Sequence, residues 1–140
     1  MNSSKSKIIK EIAQELDCGK NCYYNAKTNE IVAIPDFSEI SHEEEFKEAF
    51  KEELEKVENQ QADFVKFDVL EGFESFKIME SFIEQMADQK LKSELEFVLV
   101  SNKPFQNFKR TIDHSDSRKD WFDFKQSELE KIVENQLNRE

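Results

Sequence analysis

The sequence predicts a single helix-rich α+β domain over residues 1–140, with a small, mainly antiparallel three-stranded sheet and a helical C-terminal half. Three observations carry this. Apolar residues recur at helical spacing through most of the chain. Two short runs rich in β-branched and aromatic residues, CYYN and EIVAIP, flank the polar connector AKTN, and a third run, FVKFDVL, alternates in polarity. Only two glycines and two prolines interrupt 140 residues, which leaves little room for long loops.

In chain order, Ile8, Ile9, Ile12 and Leu16 define a first amphipathic helix over 5–17. Residues 22–25 and 30–34 form a hairpin with a four-residue loop, and Pro35 ends its second strand. Phe46, Ala49, Phe50, Leu54 and Val57 line one face of an acidic helix over 43–58, in which Glu43 with Lys47 and Glu52 with Lys56 stand four apart in the favourable order. In 64–70, Val65, Phe67 and Val69 face one way and Lys66 and Asp68 the other, which predicts a half-exposed strand completing the sheet. After Gly72 comes a core helix carrying Phe76, Met79, Ile83 and Met86, and Leu91 and Leu95 begin another. Pro104 suits the first turn of a short helix bearing Phe105, Phe108 and Ile112. Ser117 and Asp120 then resemble a capping box that opens a last helix to about Leu137. Five or six helices result. On the last one, stepping about 100° per residue gathers Phe122, Leu129, Ile132 and Val133 on one face, with Trp121 and Phe124 forming a second apolar edge that either docks on the Phe105 and Phe108 helix, its basic residues rimming the core, or stays exposed as a contact anchor.

A chain of this size can bury a core of its own without metals or disulfides. Its longest apolar runs, IVAI and FVLV, fall far short of a membrane span. The N-terminus intersperses charge with apolar residues instead of following a basic start with an apolar run, so no secretory signal is read and cytoplasmic residence is expected. The net charge is −11, and it is uneven: +2 over 1–29, −13 over 30–96 and zero over 97–140. Such a middle repels phosphate backbones, so duplex nucleic acid is not an expected partner.

Familiar chemistry is scarce. Cys18 and Cys22 make a C-x3-C pair with no further ligand nearby, too few for structural zinc. Glu39 and His42 match one Glu-x-x-His element, which a di-metal bundle would need twice. His114, Ser115 and Asp116 are adjacent in sequence, whereas a triad is assembled in space, so helix capping explains them better. With Gly19 and Gly72 as the only glycines there is no phosphate loop, and neither cofactor nor metal is expected. Glu80 and Glu84, four apart on the Phe76 helix, are the candidate catalytic carboxylates. Glu80 borders the apolar stripe, where burial would raise its pKa. Against this stands the plainer reading of a boundary glutamate in a salt bridge.

Met79-Glu80 with Phe82-Ile83-Glu84, then Pro104-Phe105 and Phe108-Lys109, then Trp121-Phe122 and Phe124-Lys125 resemble, in order and spacing, the bacterial group called uncharacterised protein family 0158. The resemblance covers residues 64–138 best and the hairpin more weakly. It implies a small soluble bacterial protein and no activity.

The leading functional expectation is a non-enzymatic protein-binding module, contacting an unknown protein partner or a second copy through Phe108, Lys109, Trp121, Phe124 and Lys125. The alternatives are an RNA binder stacking bases on Trp121 or Phe124 beside Lys109, Arg110 and Lys125, and an enzyme using Glu80 and Glu84. Exposure discriminates among them. Binding or stacking demands a solvent-facing ring, and acid/base chemistry demands a carboxylate in a cleft.

Overall fold

The computed structural model describes residues 3–36 and 43–139. Among them are seven α-helices and one three-stranded antiparallel sheet, a helix-rich α+β fold. The order is α1 (Ser3–Asp17), β1 (Lys20–Asn25), β2 (Glu30–Pro35), α2 (Glu43–Ala49), α3 (Lys51–Asn59), a 3-10 turn (Gln61–Asp63), β3 (Phe64–Phe67), α4 (Gly72–Glu84), α5 (Gln89–Leu99), α6 (Pro104–Asp113) and α7 (Arg118–Arg139). Two compact units emerge: Met1–Val69 with Leu129–Glu140, and Leu70–Glu128.

In the first unit α1 buries Ile9, Ile12, Ala13 and Leu16, the stripe its spacing predicts. Gly19, at φ 83°, adopts the left-handed conformation that terminates a helix at no Cβ cost and sends the chain into β1. β1 is the central strand, in the order β2-β1-β3, so Cys22 has Ala33 on one side and Phe67 on the other. Cys22 and Tyr24 alternate inward as the pleat requires, and the Cys22 thiol points at the Ile12 carbonyl of α1, 3.8 Å away. The hairpin loop is held by Asn25, whose buried Oδ1 accepts from Lys27 N at 2.9 Å and Thr28 N at 3.4 Å. Asn29 completes the turn at φ 62°, a conformation asparagine tolerates, and its Oδ1 accepts from the Tyr24 hydroxyl at 3.1 Å.

Three expectations for this unit need correction. The acidic helix is two helices, broken at Phe50 (φ −111°, ψ 22°), although Phe50 N still bonds Phe46 O and Leu54 N still bonds Phe50 O. Lys56 reaches across to Glu30 of β2 instead of pairing with Glu52, which ties α3 to the sheet. The third strand stops at Phe67, not at residue 70. Two residues on, Val69 N donates to the Asn21 side chain at 2.9 Å, and that bond takes the place of the ladder. On the outer side of β3, Gln136 Nε2 of α7 donates to the Lys66 carbonyl at 2.8 Å, occupying a backbone acceptor that a bare edge would leave open.

In the second unit α4 starts at Gly72, where Glu74 Oε1 accepts from Glu71 N at 3.0 Å. Its inner face is Ile78, Met79, Phe82 and Ile83. Asp88 caps α5, taking Lys90 N and Leu91 N at 3.1 Å each, and Leu91 and Leu95 are buried. Pro104 stands in the first turn of α6, as expected, and Phe108 and Ile112 are its buried residues.

Helix α7 corrects the remaining expectation. Phe122 is 38% exposed, while Trp121 is buried at 8%. The packed side of α7 in the second unit is therefore the edge bearing Trp121 and Phe124, and the Leu129 and Val133 face is buried only further along, in the residues that belong to the first unit.

Candidate functional site

In the basic, aromatic stretch 103–126, Phe108 and Trp121 are core residues, Phe124 is half-buried, and Phe105 and Phe122 are exposed. Trp121 lies 4.8 Å from Phe108 and 5.3 Å from Phe82, ring centroid to centroid, and Phe124 lies 5.4 Å from Phe82. The Phe108, Trp121 and Phe82 contacts are edge-on, the arrangement aromatic quadrupoles favour. Of the residues predicted to bind, Phe108 and Trp121 are buried and Phe124 is half-buried, so neither a partner nor a base finds a free Trp121 ring. The basic residues rim this cluster. Lys125 Nζ sits 5.5 Å from the Trp121 ring and 5.6 Å from the Phe122 ring, and the Arg118 guanidinium lies 4.6 Å from Phe122 on its own helix. Lys109 is exposed.

The candidate carboxylates are on the surface. Glu80 and Glu84 are both exposed, and neither lines the cleft of about 530 Å³ between α4, the α5 cap and the start of α7. That cleft has Phe82, Met86 and Phe124 below and Asp88, Asp120 and Asp123 around it. Its acids already have structural tasks: Asp88 caps α5, Asp120 stands in the first turn of α7, and Asp123 pairs with Lys119 at 2.8 Å. The serine and histidine of residues 114–116 are likewise engaged in the turn. His114 Nδ1 lies 2.8 Å from the Arg110 carbonyl, and Ser115 Oγ donates to Ile112 O at 2.8 Å.

Neither cysteine is disulfide-bonded. Burial, and then the charges of Glu15 and Glu11, push the Cys22 thiol up to about 12 against a weaker opposing pull from Lys20, so it stays protonated and inert. No group of three potential metal ligands occurs among the described residues, and Glu39 and His42 lie outside those residues. No described helix is long and apolar enough to cross a membrane.

What the second unit does offer, and sequence reasoning missed, is a set of exposed apolar side chains on α4, α6 and the end of α5. Phe97 and Val100, at the end of α5, are 75% and 81% exposed; Phe105, in the first turn of α6, is 45% exposed; and Phe73, in the first turn of α4, is 65% exposed. A short connection ties the first three. Ser101 Oγ donates to Val98 O at 2.6 Å and accepts from Asn107 Nδ2 at 2.9 Å, which pins the turn between α5 and α6. Phe73 joins them through its neighbour Gly72, where a Cβ would stand 4.0 Å from the Phe105 ring, and through Phe76, whose ring meets Phe105 edge-on at 6.3 Å. The missed signal was angular. Phe97 falls two residues past Leu95, about 160° round the helix from the buried face.

The sequence model of the uncharacterised protein family (UPF0158) matches residues 4–139. No curated protein and no solved structure matches the chain.

Proposed function

Starting from the fact that the chain belongs to UPF0158, an uncharacterised protein family, we propose that it is a non-catalytic protein-binding module whose contact surface is the corner formed by Phe73, Phe97, Val100 and Phe105. The observation that carries this reading is the exposure of four large apolar side chains, 45% to 81%, on the α4, α5 and α6 segments of one unit. Single exposed apolar residues need no explanation, but a group of them on an otherwise highly charged surface marks an interaction site. The rings have the character of interface anchors, since aromatics supply large contact area at small entropic cost. Absence of a carboxylate in the cleft with a task left over, and the buried state of Trp121, favour this reading over catalysis by Glu80 and Glu84 and over base stacking.

The test uses the double variant Phe97→Ser, Val100→Ser. Both positions are exposed, so its stability is expected to stay within about 1 kcal/mol of the parent, the sum of two surface changes. Protein immobilised through its N-terminus should capture a partner from a lysate of its own cells, and the double variant should not. Equal capture by both would overturn the proposal.

A further inference from the structure

The two outer edges of the sheet in the first unit are not alike. Asp36 N donates to Gly19 O at 3.3 Å, which makes these two residues a hydrogen-bonded pair at the open end of the β1–β2 ladder. Such pairs alternate along antiparallel strands, so Asn21 with Ile34, Tyr23 with Val32 and Asn25 with Glu30 are hydrogen-bonded as well. The backbone of Ile31, Ala33 and Pro35 therefore faces away from β1. The other side of β1 obeys the same alternation: Cys22 and Tyr24 pair with Phe67 and Val65, Lys66 lies outward between them, and its carbonyl is the one that Gln136 occupies.

On β2 nothing plays the part of Gln136. No strand lies beyond it in the order β2-β1-β3, and no hydrogen bond among the described residues reaches the outward amide or carbonyl of Ile31 or Ala33. Both residues are only half-buried. The Cys22 side of the pleat meets α1, and Glu30, on the opposite side, is held by Lys56 of α3, so these helices engage the faces of the sheet. Pro35 ends the open row, and its missing N–H falls on the outward side, where a strand tolerates proline.

We propose that the outer edge of β2 pairs antiparallel with the same edge of a second copy of this chain, about a two-fold axis at Val32, joining the two sheets into one. An unpaired strand edge is a template for a further strand, and this one is complementary to itself. The axis at Val32 sets Ile31 of each copy opposite Ala33 of the other, and each such pair exchanges its N–H and C=O groups, so both outward donors and both outward acceptors are satisfied. An axis at Ala33 instead would bring Ile31 opposite Pro35, which has no donor to return, and Glu30 opposite Asp36, a destabilising like-charge pair. With the axis at Val32, Glu30 faces Ile34 and Asp36 faces Thr28, so no acids oppose. The contact is isologous and closes as a dimer. Its residues all belong to the first unit, which makes it independent of the surface proposed above.

Amide hydrogen exchange on the wild-type protein, read by NMR at two concentrations, tests it. Exchange at Ile31 and Ala33 should slow at least about fourfold between about 10 µM and about 1 mM, the fall in monomer fraction for a Kd of about 100 µM or tighter. The Val32 amide, bonded within the sheet at both concentrations, is the reference. Ala33→Pro removes an outward donor from each copy at a position equivalent to that of Pro35, so circular dichroism should show it folded, and in sedimentation velocity it should associate at least about tenfold more weakly. If it does not fold, the wild-type exchange decides alone. The double variant Phe97→Ser, Val100→Ser should associate as the wild type does. Exchange at Ile31 and Ala33 that is the same at both concentrations, or association that Ala33→Pro leaves unchanged, overturns the assignment. Association lost in the double variant overturns it too, and gives the self-contact to the apolar surface of the second unit; capture from the lysate is decided separately.

Discussion

Replacing Phe82 by alanine tests the central packing claim, that Phe108, Trp121 and Phe124 pack with it as a core cluster. Phe82 is 2% exposed and its ring meets both Trp121 and Phe124, at 5.3 and 5.4 Å. Removing it deletes a buried ring together with two aromatic contacts, in a region where α4 and α7 cannot simply close the gap. The cost of such a truncation is ~3–5 kcal/mol. Each kcal/mol lowers Tm by roughly 2–4 °C near this chain length. Trp121 is the only tryptophan, so selectively excited tryptophan emission reports this cluster. Urea titration followed by that emission should move to a lower midpoint, and the folded variant should emit further to the red as Trp121 loses its cover. Phe73→Ala, on the same helix but 65% exposed, is the matched control and should stay within about 0.5 kcal/mol. A loss below about 1 kcal/mol at Phe82 would refute the ring cluster as the core of the second unit.

Further outcomes are expected. Cys18 should react with a thiol reagent in the native protein while Cys22 does so only on unfolding, read as one fast and one slow equivalent. Because the fold raises the Cys22 pKa from 9.0 to about 12, its stabilising effect is complete below pH 9.0 and is lost between there and about 12, so denaturation midpoints should fall across that window. Cys22→Ala should flatten that fall. Asn25→Ala removes the buried acceptor for Lys27 N and Thr28 N of an exposed turn and should cost about 0.5–1.5 kcal/mol in thermal unfolding. Glu80→Gln and Glu84→Gln should each leave stability within about 0.5 kcal/mol, and calorimetry with Mg²⁺ or Mn²⁺ should give no micromolar binding for Glu80→Gln to abolish.

The elements that could be read in the sequence share one property: one buried face along their whole length. The α1 stripe packs on the sheet, β1 and β2 alternate about a four-residue loop, and the α4 stripe faces its unit's interior; in each case the period of the sequence is the period of burial. Where that condition fails, reading fails. Phe122, Leu129, Ile132 and Val133 make an orderly stripe on a helical wheel, but α7 passes from one unit into the other, so the wheel averages over two environments and puts an exposed ring at its centre. The break at Phe50 has neither proline nor glycine to announce it. For the site, the sequence leaves two fates open to Trp121 and Phe124, and the ring contacts with Phe108 and Phe82 show the docked one, since a long basic side chain covers a ring edge as readily as it frames a binding site. Phe97 and Phe73, aromatics lying off the buried faces of helices that already have complete ones, are the signal the sequence offers toward the proposed surface.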